Sequence, residues 1–140
     1  MQVLSAKPEK LILMLYDGAL RFMKLGAEGI ESRDFEKGSN NLIKAQRILV
    51  ELMTCLDFPR GGDIASNLFR IYEFMHHSLV DANVRKDPAP IHKISEQLRT
   101  LRDSWEKAMK LQGVAGPPAP ELDSPGKSAE QPVKRIEVRG

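Results

Sequence analysis

Apolar residues recur at helical spacing through the first 112 residues and predict α-helices there. From Pro8 to Ile30 they fall three and four positions apart, as residues on one side of a helix do. The first stripe consists of Ile12, Tyr16, Ala19, Met23, Ala27 and Ile30. A second stripe beside it consists of Leu11, Leu15, Gly18 and Phe22. The combined arc spans roughly 260°, far more than a surface helix normally buries, so the excess must be covered by something else.

Prolines, glycines and capping residues divide this region into helices. Pro8 is tolerated in the first turn of the first helix, which we expect to end near Ser32. Asp34 caps the second helix, whose residues are FEKGSNNLIKAQRILVELMTCL. Pro59 ends that helix, because proline disfavours a helical residue before it, and Gly61-Gly62 forms the turn.

The third and fourth helices are bounded in the same way. Asp63 places negative charge at the start of the third helix, which ends at Arg85-Lys86. Asp87 caps the fourth helix, with Pro88 in its first position and Gly113 at its end. Four helices of about 20 residues with short connections predict an all-α fold, an antiparallel four-helix bundle.

Each of these two later helices carries a core stripe. The stripe of the third helix is Ile64, Leu68, Ile71, Tyr72, Met75, Leu79 and Ala82. The stripe of the fourth helix is Ile91, Ile94, Leu98, Leu101, Trp105 and Ala108. The fourth is the more regular of the two, because its apolar residues form one narrow seam.

From Gly113 onward the chain becomes rich in proline, glycine, serine and charge. The segment GVAGPPAPELDSPGKSAEQPVKRIEVRG lacks the apolar content to fold alone, so we expect a disordered C-terminal tail. Its VKRIEV piece is compatible with a docking strand, although a solvated end fits the composition better. The chain therefore divides into an N-terminal segment (1–7), a helical bundle (8–112) and a flexible tail (113–140).

Composition narrows the class of protein. The 140 residues fit one domain, and the 41% apolar and 29% charged fractions are typical of soluble globular proteins. A net charge of +2 does not indicate a nucleic-acid surface. The single cysteine, Cys55, excludes an internal disulfide and suits a reducing compartment. With no membrane-length apolar run and no signal-peptide pattern, we expect a cytoplasmic protein without membrane insertion.

Residues with catalytic potential are few and isolated. Glu73 and His76 match the Glu-x-x-His spacing of di-iron bundles, but those sites need a second copy and further glutamates, so we expect no metal site. His77 begins like the signature of histidine phosphotransfer bundles, the alternative function, but Val80 and Asp81 replace its lysine and glycine. We expect no cofactor and no enzymatic activity.

The second and third helices also carry more apolar residues than one core stripe needs. Two interpretations stay open: these side chains pack between helices, or they line grooves for amphipathic helical segments of a partner. The candidates lie roughly 80–120° from the centre of each core stripe. On one flank they are Leu13, Leu20, Ile43, Val50, Phe69 and Val80, and on the opposite flank Ile48 and Phe74.

Several stretches of the chain resemble one known family. They are QVLSAKPEKLILMLYDGALRFM, NNLIKAQRILVELMTCLDFPRGGDIASNLFRIYEFM and LRDSWEKA, within residues 2–111. The most specific pieces are Leu15-Tyr16-Asp17-Gly18-Ala19, Lys44-Ala45-Gln46, and Leu56-Asp57-Phe58 followed by Gly61-Gly62. Together, in order and at matching spacing, they are similar to the flagellar secretion chaperones of the FliS family.

The resemblance implies a function as well as a fold. Members of that family are antiparallel helical bundles that bind the disordered C-terminal part of flagellin in the bacterial cytoplasm. Binding prevents premature polymerisation and assists delivery to the export gate of the flagellar type III secretion apparatus, without ATP or covalent chemistry. On that expectation, the client would cover the surplus apolar arc, because a disordered segment can wrap a large surface.

Overall fold

The computed structural model describes residues 7–111, which form four α-helices. They are α1 (Glu9–Glu31), α2 (Phe35–Cys55), α3 (Phe58–Arg85) and α4 (Ala89–Lys110). No β-strand occurs within this part of the chain, so the predicted all-α fold is confirmed. The predictions for residues 1–6 and for the tail, including the helix end at Gly113, lie outside the described residues.

The helices pack as a bundle in chain order. Both α1 and α3 pack against α2 and α4, so each helix has two neighbours. The contact between α1 and α2 is the most extensive, and that between α3 and α4 the least. None of the helices in residues 7–111 has a stretch long and apolar enough to cross a lipid bilayer.

Aspartate side chains accept amide protons at three of the helix starts, those of α2, α3 and α4. Asp34 Oδ1 accepts the Lys37 amide at 3.2 Å, as predicted for the cap of α2. Asp87 Oδ1 accepts the Ala89 amide at 3.0 Å just before α4, although the helix itself begins one residue later than predicted. These bonds satisfy donors that have no partner inside the helix.

The start of α3 differs from the prediction. The helix begins at Phe58, capped by Asp57, with Pro59 in its first turn rather than ending α2. Proline fits there because a first-turn residue has no helical acceptor for its amide. Gly62 interrupts the helix with φ 53° and ψ −129°, a conformation with positive φ that glycine adopts without the steric penalty of a Cβ.

The predicted core stripes are buried with two exceptions. All six residues of the first stripe of α1 and all six of the stripe of α4 are buried. On α3, Ile64 is 36% exposed and Ile71 is only partly buried. Ile64 has the spacing of the core stripe, but it lies near the start of α3, just after the break at Gly62.

Three aromatic residues join three helices at the centre of the bundle. The hydroxyls of Tyr16 on α1 and Tyr72 on α3 share a hydrogen bond across the diagonal. Trp105 of α4 packs on Tyr16, with ring centroids 6.2 Å apart, and is buried as predicted. Burial raises the pKa of both phenols above their usual value, so both stay protonated at neutral pH.

Candidate functional site

Much of the surplus apolar arc of α1 is covered by α2. Three glycines lie where these helices meet near their connection, and they leave no space for a Cβ. A Cβ on Gly29 would lie 2.4 Å from the Gly38 amide nitrogen, and one on Gly26 would lie 2.7 Å from Leu42 Cδ2. Further along, Leu15 and Phe22 are partly buried against the core. Self-packing therefore accounts for the end of α1 near the connection, and the covering partner expected from the sequence is not needed there.

The side of α2 that faces α3 is more open. Four apolar side chains line this outer surface with between 37% and 44% of their area exposed: Ile43, Val50, Phe58 and Val80. Phe69 lies beside them, partly buried against the core. We call these five residues the α2/α3 surface. Contiguous exposed apolar residues on a folded protein are typical of a binding site.

Two contacts show that these residues share one surface. At one end, Asn83 of α3 donates to Ser39 Oγ of α2 at 3.3 Å. At the other end, the rings of Phe58 and Phe69 meet edge to face at 5.9 Å. Ile43 is one helical turn beyond Ser39, and Val80 is one turn before Asn83, so this antiparallel register places them level with each other.

Other predicted candidates lie on different sides of the bundle. Leu13 and Leu20 are partly buried on the side of α1 that carries Asp17, whose carboxylate binds Arg102 of α4 at 2.7 Å. Ile48 faces α1, where its Cδ1 would lie 3.1 Å from a Cβ built on Gly18. The structure thus separates these three residues from the α2/α3 surface.

Phe74, the second residue of the predicted opposite flank, is 39% exposed on α3. It lies about 160° around the helix from the core residue Tyr72, at 100° per residue. Phe69 and Val80 lie on the other side of that residue, within about 80° of it. Phe74 therefore belongs to the outer face of α3 and does not contribute to the α2/α3 surface.

Charged side chains close the contact between α1 and α4. Arg102 binds Asp17, and its guanidinium also binds Glu106 at 2.8 Å. The hydrogen bond to Asp17 raises the pKa of Arg102 above its usual value. His92 of α4 lies 2.8 Å from the Glu31 carboxylate of α1. The α1–α4 side of the bundle is therefore edged by charge, unlike the α2/α3 surface.

Within residues 7–111, no cluster of three potential metal ligands occurs. His77 is exposed, and Asp81 one turn further is ion-paired with Arg85 at 3.1 Å. Cys55 is buried, and burial raises the pKa of its thiol, which disfavours the thiolate that nucleophilic chemistry needs.

One member of the α2/α3 surface was missed from the sequence. Pro59 was predicted to end the second helix after Leu56, so Phe58 fell outside the predicted helices and received no helical face. In the structure it is the first residue of α3, is 44% exposed and extends the surface beyond Phe69. The signal was present, because Asp57 before a proline-containing first turn is itself a helix start.

Comparison with known proteins finds one family. The profile of the family described as Flagellar protein FliS matches residues 1–112. The flagellar secretion chaperone FliS of Bacillus subtilis is 36% identical over 106 residues, covering 76% of this chain and 78% of the relative. The proteins of the same description from Salmonella typhimurium and Vibrio cholerae are 34% and 31% identical over 106 residues, each covering 78% of the relative.

Proposed function

The chain belongs to the FliS family of flagellar secretion chaperones, and on that premise we propose that its client is the disordered C-terminal segment of flagellin. The segment folds onto the α2/α3 surface as an amphipathic helix. While bound, it cannot polymerise, and the complex is delivered in the cytoplasm to the export gate of the flagellar type III secretion apparatus. The chain acts by binding, without a cofactor and without covalent chemistry.

The observation that carries this proposal is the open apolar surface between α2 and α3. Grooves between helices suit amphipathic segments, whose apolar residues recur every three or four positions. Such a segment can lie between two rows of apolar residues. One row contains Ile43 and Val50 of α2, and the other contains Phe69 and Val80 of α3. A client that is unfolded before binding can follow this surface, since burial of its apolar side chains offsets the cost of ordering.

The protein need not rearrange its core to bind. Tyr16, Tyr72 and Trp105 are already packed together, so the surface is held by a preformed interior. The partial exposure of Ile43 and Val50 is apolar area that a client removes from water. Covering one such side chain is worth up to about 1.5 kcal/mol, which corresponds to about tenfold in Kd.

A paired substitution tests the location. Val80→Asp places a charge on the α2/α3 surface, and Phe74→Asp places one at a similarly exposed position of the same helix outside it. We expect Val80→Asp and Val50→Asp to weaken binding of a flagellin C-terminal peptide at least about tenfold in titration calorimetry. Phe74→Asp should bind like the parent, and circular dichroism should show all three variants folded.

The outcomes separate the function from its location. Folded Val50→Asp and Val80→Asp variants that bind like the parent would show that the client lies elsewhere. Equal losses from Phe74→Asp would show that the segment covers both sides of α3. If the unmodified chain neither binds a flagellin C-terminal segment nor delays flagellin polymerisation in a light-scattering assay, the flagellin proposal itself is wrong.

A further inference from the structure

A second apolar surface lies on the other side of α2, along the outer face of α1. Its residues follow one helical stripe beside the contact with α2: Leu11, Met14, Leu15, Gly18, Phe22 and Leu25. We call them the α1/α2 surface. Met14 is 63% exposed and Leu11 is 37% exposed, while the rest of the stripe is partly buried. The space beside Gly18 is filled from α2, where Ile48 Cδ1 would lie 3.1 Å from a Cβ built on that glycine.

Two cations are held over the one large ring of this surface. The Arg21 guanidinium carbon lies 4.7 Å from the centre of the Phe22 ring, and Lys44 Nζ of α2 lies 5.4 Å from it. Within residues 7–111, neither cation forms an ion pair. Contact with the ring keeps both charges beside the apolar stripe.

The acidic groups of this side do not neutralise those cations. Glu28 of α1 is ion-paired with Lys37 of α2 at 3.8 Å, near the α1–α2 connection. Glu51 of α2 is exposed one helical turn beyond Ile48, and its carboxylate lies 4.0 Å from Cys55 Sγ. The part of the α1/α2 surface around Phe22 therefore presents apolar area flanked by unpaired positive charge.

We propose that the α1/α2 surface binds a second protein through an amphipathic helix whose apolar face is flanked by acidic residues. From Leu11 to Leu25 the stripe is about 21 Å long at the helical rise, which matches a partner helix of about four turns. The carboxylates of that helix pair with Arg21 and Lys44. The site is separate from the α2/α3 surface, so both can be occupied together.

Two designed helical peptides provide the test. Both carry the same leucine stripe over about four turns, and they differ only in having glutamate or lysine beside it. Fluorescence anisotropy should show the glutamate peptide binding the full chain about tenfold more tightly than the lysine peptide, the combined effect of two exposed charge pairs. Raised ionic strength should reduce the difference, because it screens exposed charges.

Matched variants locate the binding. The double variant Arg21→Glu with Lys44→Glu should lose the preference for the glutamate peptide. The control Arg99→Glu with Lys107→Glu makes the same change of net charge on exposed residues of α4 and should keep it. Val50→Asp should also keep it, since that residue belongs to the other surface.

Contrary results are equally clear. Equal affinity for the two peptides, or no affinity for either, would overturn the proposal. So would loss of the preference in Val50→Asp while the Arg21 and Lys44 double variant retains it. Binding to anionic phosphatidylglycerol vesicles without binding to the glutamate peptide would show that the surface recognises a lipid headgroup layer instead.

Discussion

The two sides of α2 carry similar apolar residues, but the neighbouring helices cover these residues to different extents. Toward α1, glycines such as Gly29 and Gly38 bring the helices together until there is no space for a Cβ. Toward α3 no such pair occurs among the described residues, and Ile43 and Val50 remain about two-fifths exposed. Apolar side chains beside a core stripe are therefore covered where the backbones approach closely and remain open where they do not.

The physical reason is the distance between helix axes. Packed helices usually lie 8–10 Å apart, with the spacing decided by the side chains at the contact. Removing Cβ atoms at the crossing shortens that distance, and a neighbouring side chain such as Leu42 of α2 then reaches Gly26 of α1. Where ordinary side chains separate two helices, the outer rows diverge and leave a surface that a partner can fill.

The largest expected effect comes from closing the space between α1 and α2. In Gly29→Ala the new Cβ meets the backbone of Gly38, which cannot rotate away as a side chain can. We expect the free energy of unfolding to fall by about 3 kcal/mol, at the upper end of the effects of overpacking. Urea unfolding followed by circular dichroism measures this loss.

Gly18→Ala is the matched control on the same helix. Its Cβ meets only the end of the Ile48 side chain, at 3.1 Å, which can shift by a few tenths of an ångström. Alanine is favoured over glycine in a helix interior by about 1 kcal/mol, so the variant should be as stable as the parent or more so. Comparable losses at both positions would contradict the role given to close backbone approach.

The next effect concerns the hydrogen bond between Tyr16 and Tyr72, which joins α1 to α3 across the bundle. Both phenols have a raised pKa in the folded protein, so above pH about 10 they ionise first in the unfolded chain. Below that pH the protonated phenols contribute fully to the free energy of unfolding. This contribution is lost as the pH rises toward their pKa values in the folded protein. Each tyrosine should lower the free energy of unfolding by about 1.4 kcal/mol per pH unit in that range.

Chemical unfolding at pH values between about 9 and 12 measures this slope. Tyr72→Phe should show a shallower fall with pH than the parent, because one of the two groups no longer titrates. An unchanged slope would show that other groups control alkaline unfolding. Lysines titrate in the same range, so the comparison between variant and parent, rather than the parent curve alone, carries the result.

A smaller loss is expected at the connection between α2 and α3. Gly62→Ala forces a side chain into a backbone conformation with φ 53° and ψ −129°, while the space around its Cβ is empty. The cost is therefore conformational strain alone, about 1–2 kcal/mol. Thermal unfolding should detect it. Gly61→Ala serves as control, because Gly61 does not have a positive φ, and equal losses at both positions would contradict this explanation.

The smallest effect on stability should come from the open surface itself. Val50 is 43% exposed, so Val50→Thr, which keeps the branched shape, should change the free energy of unfolding by about 0.5 kcal/mol or less. Leu49→Thr, at the neighbouring buried position, should cost several times more. Similar losses in urea unfolding would show that the two sides of α2 are not as different as the exposures indicate.

The amino-acid sequence by itself determined the number of helices, their core stripes and most of their ends. Spacing of three and four identified the buried rows of α1 and α4 without error, because the direction of a side chain within one helix depends only on its position along that helix. Asp34 was identified as a cap for a similar reason, since the bond it accepts is local. The family was also evident from short local motifs.

Only the tertiary structure decided which flanking residues stay open. Leu13, Ile48 and Val50 all lie beside a core stripe, yet Leu13 is partly buried against the core, Ile48 packs toward Gly18 and Val50 is exposed. A helical wheel gives each residue a direction but not the distance to the neighbouring helix. That distance depends on which residues of two separate segments meet, and Gly29 and Gly38 set it only once α1 and α2 have packed together.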